Sequence, residues 1–485
     1  MAAASHPIDP ICPFPANPHY FTYKGKPTVL ITSDQHYGAV INADFDYVKF
    51  LDALARYGMN FTRIYPGAYI ERDGDFVKDN NLGPRNGRQI LPWARTRQTG
   101  AHEVLGGFKL DLDRWNEEYF ARLRGFIQGA MERDIIVDIA FFNGMYTERW
   151  PFQALYHTNN IQGVGTCDSP HVQTLQDAAL ADRHEAYVRK ITAEVAGFPN
   201  VLLDICDEPH VDRGRPEEYN PWISRLIEAV MDQEKALPRK HVIVQTIEPY
   251  VKGMPKDSPA DFSSDPRVTA TAHEYCWGIT HLDTEYEHAK PMILIETNYY
   301  PDQYAGNKID SSRVEGWEFI VGGGAAFMHL NSLYSTFNAG AEGTENDLLL
   351  GQLKSLKDFM GRFDLSVMRQ DRGLVTGGVP AGAFARAISG GRRHGLYIHH
   401  SKYAGWPLPE LSMGSCYEPV PGDYSVSLEL QLPRGAYTAE WIEPKSGRSL
   451  RTDAFDHAGG MRTIATPHYA VDIALDLCRA DERKS

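Results

Sequence analysis

Two glutamates in this sequence each end a short run of mostly apolar residues. Glu208 follows the run 201–206, with Asp207 between them. Glu296 ends the apolar run 292–295. Two carboxyl groups can divide acid–base and nucleophilic work between them, and cleavage of a glycosidic bond with retention needs such a pair about 5–5.5 Å apart. These glutamates are therefore the first candidates for chemistry in the chain.

The elements that must bring the glutamates together are repeated strand–helix units. Over about the first 365 residues, short apolar and β-branched runs alternate with longer amphipathic stretches, which is the pattern of alternating strands and helices. The predicted strands are 28–31, 61–64, 135–139, 201–205, 241–245, 268–272, 292–295 and 324–328. The predicted helices are 44–57, 115–133, 184–196, 221–237, 313–321 and 345–362. Only weak or short helices are predicted between the fifth and seventh strands.

Eight strands with intervening helices predict a (β/α)8 TIM barrel over residues 1–365. The carboxyl ends of the strands form the catalytic face of such a barrel, and Glu208 and Glu296 end the fourth and seventh strands. The long connections 66–111 and 143–178 leave the same face, and long loops inside a compact domain are usually functional. A doubly wound open sheet is the alternative, but no GxGxxG motif follows the first strand.

The texture of the sequence changes after about residue 363. Short alternating runs are separated there by Gly, Pro and Asp, and residues 443–447 have the composition of a hairpin turn. The predicted strands are 383–388, 395–399, 424–430, 435–442 and 470–477. We therefore predict a small antiparallel β-sandwich, a C-terminal accessory domain over residues 366–485.

The overall composition is that of a globular protein and argues against some partners. Apolar residues make up 42% of the chain, charged residues make up 23%, and the net charge is −14. Because binding to phosphates requires a basic surface, nucleic acid is not expected as a partner. No apolar run approaches the roughly 20 residues that a membrane-spanning helix needs, so no membrane is expected as a partner.

The cysteines and histidines predict neither a metal site nor a disulfide framework. The six cysteines are scattered and form no CxxC pair, and the histidines lack metal-ligand spacing. We expect no metal and no cofactor, and the cysteine pattern favours a reducing cytoplasm. Residues 1–20 contain several prolines and no apolar h-region, so no signal peptide is predicted. A secreted protein is the alternative if a leader has been removed.

With these motifs in place, the sequence resembles glycoside hydrolase clan A, and its local texture is most similar to the cellulase-type family 5. The resemblance covers about residues 20–365 and rests on the glutamates at the ends of the fourth and seventh strands. It implies a retaining glycosidase on a TIM barrel, with Glu208 as the acid/base and Glu296 as the nucleophile.

The resemblance extends to further site residues. Arg63, at the end of the second strand, matches the arginine that keeps the family's nucleophile ionised, and His273 and Tyr275 match the family's His-x-Tyr pair beside the catalytic glutamates. The family usually has Asn-Glu-Pro where this chain has Asp207-Glu208-Pro209. An amide can donate a hydrogen bond to a sugar hydroxyl, whereas an ionised aspartate can only accept one. The change predicts that Asp207 alters the choice of sugar.

Other polar residues at strand ends are candidates either for substrate contact or for structure at the rim. They are Asp34 and His36 after the first strand, Asn143 after the third, and His329 and Asn331 at the eighth, where the family's tryptophan platform is absent. We also expect the connection 66–111 to wall one side of the mouth. The expected shape is a pocket closed at one end, which acts on chain ends or short oligosaccharides.

The predicted function is hydrolysis of a β-linked glycoside with retention, with a carbohydrate as the partner. One alternative is a non-catalytic glycan-binding barrel, although both carboxylates and Arg63 are present. Another is a metal-dependent barrel hydrolase of the amidohydrolase type, which needs His-x-His at the first strand where this chain has Asp34-Gln35-His36. No pattern in the sequence indicates an oligomeric state.

Overall fold

The fold is that of a computed structural model, which describes residues 9–76, 78–209, 216–237, 240–247, 262–274, 277–297, 308–403 and 417–480. Eight parallel strands form one sheet, in the order first, eighth, seventh, sixth, fifth, fourth, third and second. In chain order the barrel strands are Leu30–Asp34, Phe61–Ile64, Ile136–Asn143, Val201–Asp207, Val242–Thr246, Ala270–Glu274, Met292–Thr297 and Ala326–Leu330. The predicted (β/α)8 barrel is confirmed, and each predicted barrel strand overlaps an observed one.

Seven α-helices surround the barrel within the described ranges. They are Tyr47–Arg56, Glu117–Met131, Ala178–Val195, Pro216–Gln233, Trp277–Glu285, Lys308–Val321 and Asn346–Met360. The first of them shows why these segments are helical. Phe50, Leu51 and Leu54 lie at helical spacing and are buried against the barrel, and the side chain of Asp46 accepts the backbone N–H of Lys49 at the helix start. The predicted helix between the fifth and sixth strands falls outside the described residues.

One joint of the barrel has no strand ladder and is closed by side-chain hydrogen bonds together with isolated backbone ones, such as that from the N–H of Asn60 to the carbonyl of Ile31 at 3.3 Å. The first and second strands are neighbours, but their described residues form no ladder. Asn60, just before the second strand, accepts the backbone N–H of Ile31 on its amide oxygen at 2.9 Å. Asp34 accepts the hydroxyl of Thr62 at 3.0 Å and the backbone N–H of Arg63. These side chains complete the closure of the barrel below its mouth, and we call this joint the seam.

The two long connections are folded structures at the mouth of the barrel. The second connection contains a hairpin of strands Trp93–Thr99 and Phe108–Trp115, and the third contains the short 3-10 helices Trp150–Phe152 and Ser169–His171. Trp93 is buried, with its ring centre 5.3 Å from that of Tyr187 on the third helix. The hairpin is therefore anchored to the helical layer beside the mouth.

A small antiparallel sheet precedes the barrel and was not predicted from the sequence. Its strands are Cys12–Phe14, Asn17–Tyr23 and Lys26–Thr28. The backbone N–H of Ile11 donates to the carbonyl of Pro199 at 2.8 Å, just before the fourth barrel strand. The small sheet therefore lies at the amino end of the barrel, away from the mouth. Its strands are short and rich in proline, which weakens the alternation that identifies a strand.

Antiparallel sheets follow the barrel and confirm the predicted β-sandwich. The larger sheet contains Arg369–Gln370, Ala383–Gly390, Arg393–Tyr403, Tyr417–Pro419, Gly435–Glu443, Arg448–His457 and Asp472–Arg479. The smaller sheet contains Val375–Gly377, Ser427–Leu432 and Gly460–Ala465. Buried side chains of both sheets, including Leu428, Trp441 and Leu475, form a core distinct from that of the barrel.

Buried ion pairs join the sandwich to the helix that precedes the eighth barrel strand. Nε of Arg313 in that helix lies 2.8 Å from Oδ2 of Asp472 in the last strand. Oε1 of Glu318, in the same helix, lies 3.1 Å from Nε of Arg386. Arg313 and Glu318 are almost fully buried, so the sandwich packs directly against the barrel's helical layer. Among the described residues, no helix is both long and apolar enough to cross a membrane.

Candidate active site

A cleft opens at the carboxyl ends of the barrel strands. It has about 340 Å³ of empty space, part of it open to solvent. Glu208 and Glu296 both line it. The other lining residues are His36, Tyr37, Tyr65, Glu71, Phe76, Leu82, Asn143, Tyr146 and Leu330.

The backbones of both glutamates are in the left-handed region. The φ angle is 41° at Glu208 and 54° at Glu296, a conformation that costs a non-glycine residue about 1–3 kcal/mol and clusters at functional sites. At Glu296 the pairing of the seventh and eighth strands shifts register between Leu294 and Thr297. A bulge of this kind re-aims a side chain, and here the affected side chain is a carboxylate that lines the cleft.

Glu208 is held by contacts from two other elements. The hydroxyl of Tyr146, in the third connection, donates to Oε2 of Glu208 at 2.8 Å. The backbone N–H of Glu208 donates to Oε1 of Glu274, the last residue of the sixth strand, at 3.2 Å. Burial and the neighbouring charge of Glu208 raise the pKa of Tyr146 well above its ordinary value. Tyr146 therefore remains a hydrogen-bond donor to this carboxylate.

Below the cleft, one buried arginine faces several carboxylates. Nη1 of Arg63 lies 2.7 Å from Oδ2 of Asp207 and 3.9 Å from Oε1 of Glu296. Nε of Arg63 lies 3.2 Å from Oδ2 of Asp138, and the guanidinium also pairs with Asp204. Arg63 and the three aspartates are fully buried. We call this group of four residues the active-site floor.

Burial and charge act in opposite directions on the acids of the floor. Burial opposes the ionisation of Asp207, but the charge of Arg63 and hydrogen bonds to the carboxylate hold its pKa below the ordinary value. At Asp138 burial outweighs the attraction of Arg63 and raises the pKa to about 7. Burial likewise raises the pKa of Asp204 well above its ordinary value. Of the three aspartates, Asp207 is therefore the one whose ionised form these interactions favour.

Four of the predicted site residues line the cleft together, namely Glu208, Glu296, His36 and Asn143. Nε2 of His36 lies 3.1 Å from Oε2 of Glu71. Asn143 is 5% exposed, and its Oδ1 atom has no hydrogen-bond partner within the part of the chain that the structure describes. An amide oxygen in that position can accept a hydrogen bond from a hydroxyl group of a bound ligand.

Three further predicted residues lie beneath the lining. Arg63 and Asp207 belong to the floor, and Asp34 belongs to the seam. All three are fully buried and none lines the cleft. Asp207 also accepts hydrogen bonds from Tyr65 and, at 3.2 Å, from Thr246. Direct contact between Asp207 and a sugar hydroxyl is not expected from this position.

The two predicted residues of the eighth strand also lie behind the lining. Nδ1 of His329 lies 2.8 Å from Oγ of Ser33, and Nδ2 of Asn331 donates to the same hydroxyl at 2.8 Å. Asn331 also donates to Asn346 in the last helix. Leu330, between them, lines the cleft instead, because successive side chains of a strand point to opposite faces.

The same alternation separates His273 from the cleft. His273 is fully buried, and its ring lies 3.2 Å from the hydroxyl of Thr271 and 3.4 Å from the ring of His281 in the following helix. Its neighbour Glu274 points the other way and contacts Glu208. Burial lowers the pKa of His273 well below its ordinary value, so it is a neutral strand residue that faces the helical layer. Tyr275, its predicted partner, lies outside the described residues.

Several residues at the site were not identified from the sequence, among them Glu71, Phe76, Tyr146 and Glu274. The first three come from the long connections, where no periodicity marks which side chains turn inward. Glu274 is next to the predicted His273, and placing the strand end at residue 274 would have identified it. In the described ranges, no group of three or more His, Cys, Asp or Glu side chains is arranged to hold a metal ion.

Comparisons with known proteins give a consistent fold. No protein-family model matches the sequence, and no curated protein sequence matches it. A solved glycoside hydrolase is similar over 98% of both chains, with a TM-score of 0.60 at 12% identity. A glycoside hydrolase family 5 structure from Bacteroides vulgatus has a TM-score of 0.60 at 12% identity and is similar over 97% of this chain and 93% of its own. The endo-1,4-beta-mannanase from Rhizomucor miehei has a TM-score of 0.51 at 13% identity and is similar over 73% of this chain and 100% of its own.

These similarities concern the fold. The class they define is a (β/α)8 barrel of the kind found in glycoside hydrolases. For the first two structures the similarity extends over almost the entire chain, so it includes the sheets that follow the barrel.

Proposed function

We propose that this protein is a retaining glycoside hydrolase that acts on β-linked substrates, with Glu208 as the acid/base and Glu296 as the nucleophile. The observation that carries the proposal is the shared cleft of the two carboxylates, at the ends of the fourth and seventh strands. Retention further requires the carboxyl groups to be about 5–5.5 Å apart. The similarity in fold to glycoside hydrolases agrees with this chemistry.

The proposed reaction is a double displacement. In the first step a carboxylate oxygen of Glu296 forms a bond to the anomeric carbon, while Glu208 gives its proton to the departing glycosidic oxygen. In the second step Glu208 takes a proton from water, whose oxygen displaces Glu296 from the same carbon. Arg63 supports the first step, because a cation 3.9 Å from Oε1 of Glu296 favours the ionised nucleophile.

The proposed substrate is the end of a chain or a short oligosaccharide. Phe76 from the second connection and Tyr146 from the third both line the cleft, and their ring centres are 6.1 Å apart. The two long connections therefore meet beside Glu208 and limit the space on that side.

A panel of aryl β-glycosides tests this function. We expect the wild-type protein to release the phenol from at least one of them and to form a first sugar product of retained configuration, which proton NMR detects. Glu208→Gln and Glu296→Gln should lose the activity. The matched control is Glu132→Gln, at an exposed glutamate directly after the second helix, and this variant should keep the activity. Absence of hydrolysis across the panel, or an inverted first product, contradicts the proposal.

A further inference from the structure

The contact between Tyr146 and Glu208 carries a second proposal, which rests on the proposed function. We propose that Tyr146 is a positioning residue that fixes the acid/base Glu208 and directs its transferable proton to Oε1. The hydroxyl of Tyr146 donates to Oε2 at 2.8 Å. A donor already directed at Oε2 disfavours a proton on that oxygen, so the acid form of Glu208 carries its proton on the other one.

Tyr146 is itself held by a cluster of side chains from both long connections. The guanidinium of Arg149 lies 4.2 Å from the ring centre of Tyr146 and 4.4 Å from that of Phe76. Nε of Arg149 lies 3.7 Å from Oδ2 of Asp75, next to Phe76 in the chain. A desolvated cation over an aromatic face is attracted to it, and Arg149 is 6% exposed. The tyrosine hydroxyl is therefore aimed at Glu208 by packing that does not depend on a substrate.

The charged and titratable groups around Glu208 act against one another. Among the described residues they include Tyr37, Tyr65 and His36 near the first two strands, Tyr69 and Glu71 of the second connection, Tyr146 and Arg149 of the third, the adjacent Asp207, Glu274 of the sixth strand and Glu296 of the seventh. The nearby carboxylates and burial favour the protonated acid, as proton donation requires. The hydrogen bond from Tyr146 favours the ionised form of Glu208 and so opposes the rise in its pKa.

This arrangement suits both steps of the proposed reaction. In the first step Glu208 loses the proton on Oε1 to the leaving oxygen and becomes a carboxylate. Its new charge strengthens the hydrogen bond from Tyr146, because bonds to ionised acceptors are stronger than bonds to neutral ones. In the second step Oε1 accepts a proton from water, and Tyr146 keeps its own proton throughout.

The test compares the titration of Glu208 in Tyr146→Phe and wild-type protein. Glutamate labelled with ¹³C at the side-chain carboxyl reports the pKa by NMR, and the signal that disappears in Glu208→Gln assigns it. Tyr146→Phe keeps the ring and removes one hydrogen bond to a charged acceptor, so the pKa of Glu208 should rise by about one to two units. Tyr156→Phe, in the same connection and outside the cleft lining, should leave it unchanged. An unchanged pKa in Tyr146→Phe, or equal shifts in the two variants, overturns the proposal.

Kinetics provide a second readout that separates the two proposals. In Tyr146→Phe the alkaline limb of kcat/KM should move to higher pH, and kcat/KM should fall about tenfold on glycosides with poor leaving groups. Dinitrophenyl glycosides should show little change in kcat/KM, because their leaving group departs without a proton. If the wild-type protein hydrolyses no glycoside, the proposed function fails, while the NMR comparison still decides whether Tyr146 controls the protonation of Glu208.

Discussion

Nη1 of Arg63 lies 2.7 Å from Oδ2 of Asp207, in a fully buried ion pair beneath the cleft. The residue directly before Glu208 is therefore tied to the second barrel strand, and the backbone of Glu208 is anchored from below. From the sequence alone, Asp207 was expected to select the sugar. The ion pair points instead to a role in holding the end of the fourth strand.

The first prediction distinguishes these two roles of Asp207. Asp207→Asn removes the charge opposite Arg63 and should lower the free energy of unfolding at neutral pH by on the order of 3 kcal/mol. Chemical denaturation of the variant and the wild-type protein measures this difference in the free energy of unfolding. The pKa of Asp207 is held below its ordinary value, so the ion pair stabilises the protein above the unfolded-state pKa of about 3.9, and its contribution disappears as the pH falls through the folded-state pKa. Unchanged stability together with a new sugar preference would restore the substrate role.

The second prediction assigns the two catalytic roles by chemical rescue. Glu208→Ala should slow hydrolysis of glycosides with poor leaving groups by about 10²–10⁴-fold. On activated substrates azide should restore turnover and give a glycosyl azide of retained configuration, since Glu296 still forms the intermediate. Glu296→Ala should be inactive without azide, and its azide product should be inverted. NMR of the azide products identifies the configuration, and the reverse pattern exchanges the two roles.

The third prediction concerns the pH dependence of stability at the seam. Burial raises the pKa of Asp34 to about 8, although the backbone N–H of Arg63 and the hydroxyl of Thr62 lower it. The folded protein therefore holds a proton on Asp34 that the unfolded chain loses near pH 4. This contribution reduces the free energy of unfolding by about 1.4 kcal/mol per pH unit between about pH 4 and 8. Asp34→Asn should make that decline shallower, as measured by denaturation at several pH values.

Asn60→Ala is the control for Asp34→Asn, because it breaks the same seam without removing a titratable group. Its loss of stability should be nearly the same at every pH between 4 and 8. If Asp34→Asn also shifts stability by a constant amount, the proton on Asp34 is not responsible for the pH dependence.

The fourth prediction concerns the shape of the cleft. Phe76 lines the cleft beside Tyr146, and Phe76→Ala should open that side. The wild-type protein should release short products from chain ends, and the variant should give a several-fold larger share of longer products, measured by chromatography of oligosaccharide digests. Phe108→Ala is the matched control, since Phe108 belongs to the same connection but is 42% exposed and outside the lining. Random mid-chain cleavage by the wild-type protein contradicts the closed pocket.

The barrel was predictable from the sequence because its strands are buried on both faces. The run 292–295 within strand Met292–Thr297 is a continuous apolar segment, which is how parallel strands appear in a sequence. The two glutamates were predictable because each interrupts such a run at its carboxyl end. The main strands of the sandwich were predictable from alternation, but several others were missed. Among them is Arg448–His457, all of whose residues are partly or fully exposed.

The side chains around the glutamates were less predictable for physical reasons. His273 and Glu274 are adjacent, and only the phase of the strand decides which of them reaches the cleft. Tyr146 reaches Glu208 from an irregular connection, where the positions of neighbouring loops fix its direction. The role of Asp207 depended on Arg63, which is distant in sequence and becomes its neighbour only when the second and fourth strands are assembled.

The seam has a consequence for how this barrel can change over evolution or by design. Backbone ladders are largely indifferent to side-chain identity, so point substitutions seldom alter how two strands are joined. Here the joint between the first and second strands depends in part on the side chains of Asp34 and Asn60. Substitutions at these two positions can therefore weaken the joint without any insertion or deletion. A change in a single codon, for Asp34 or for Asn60, therefore acts on the joint that lies directly below the cleft.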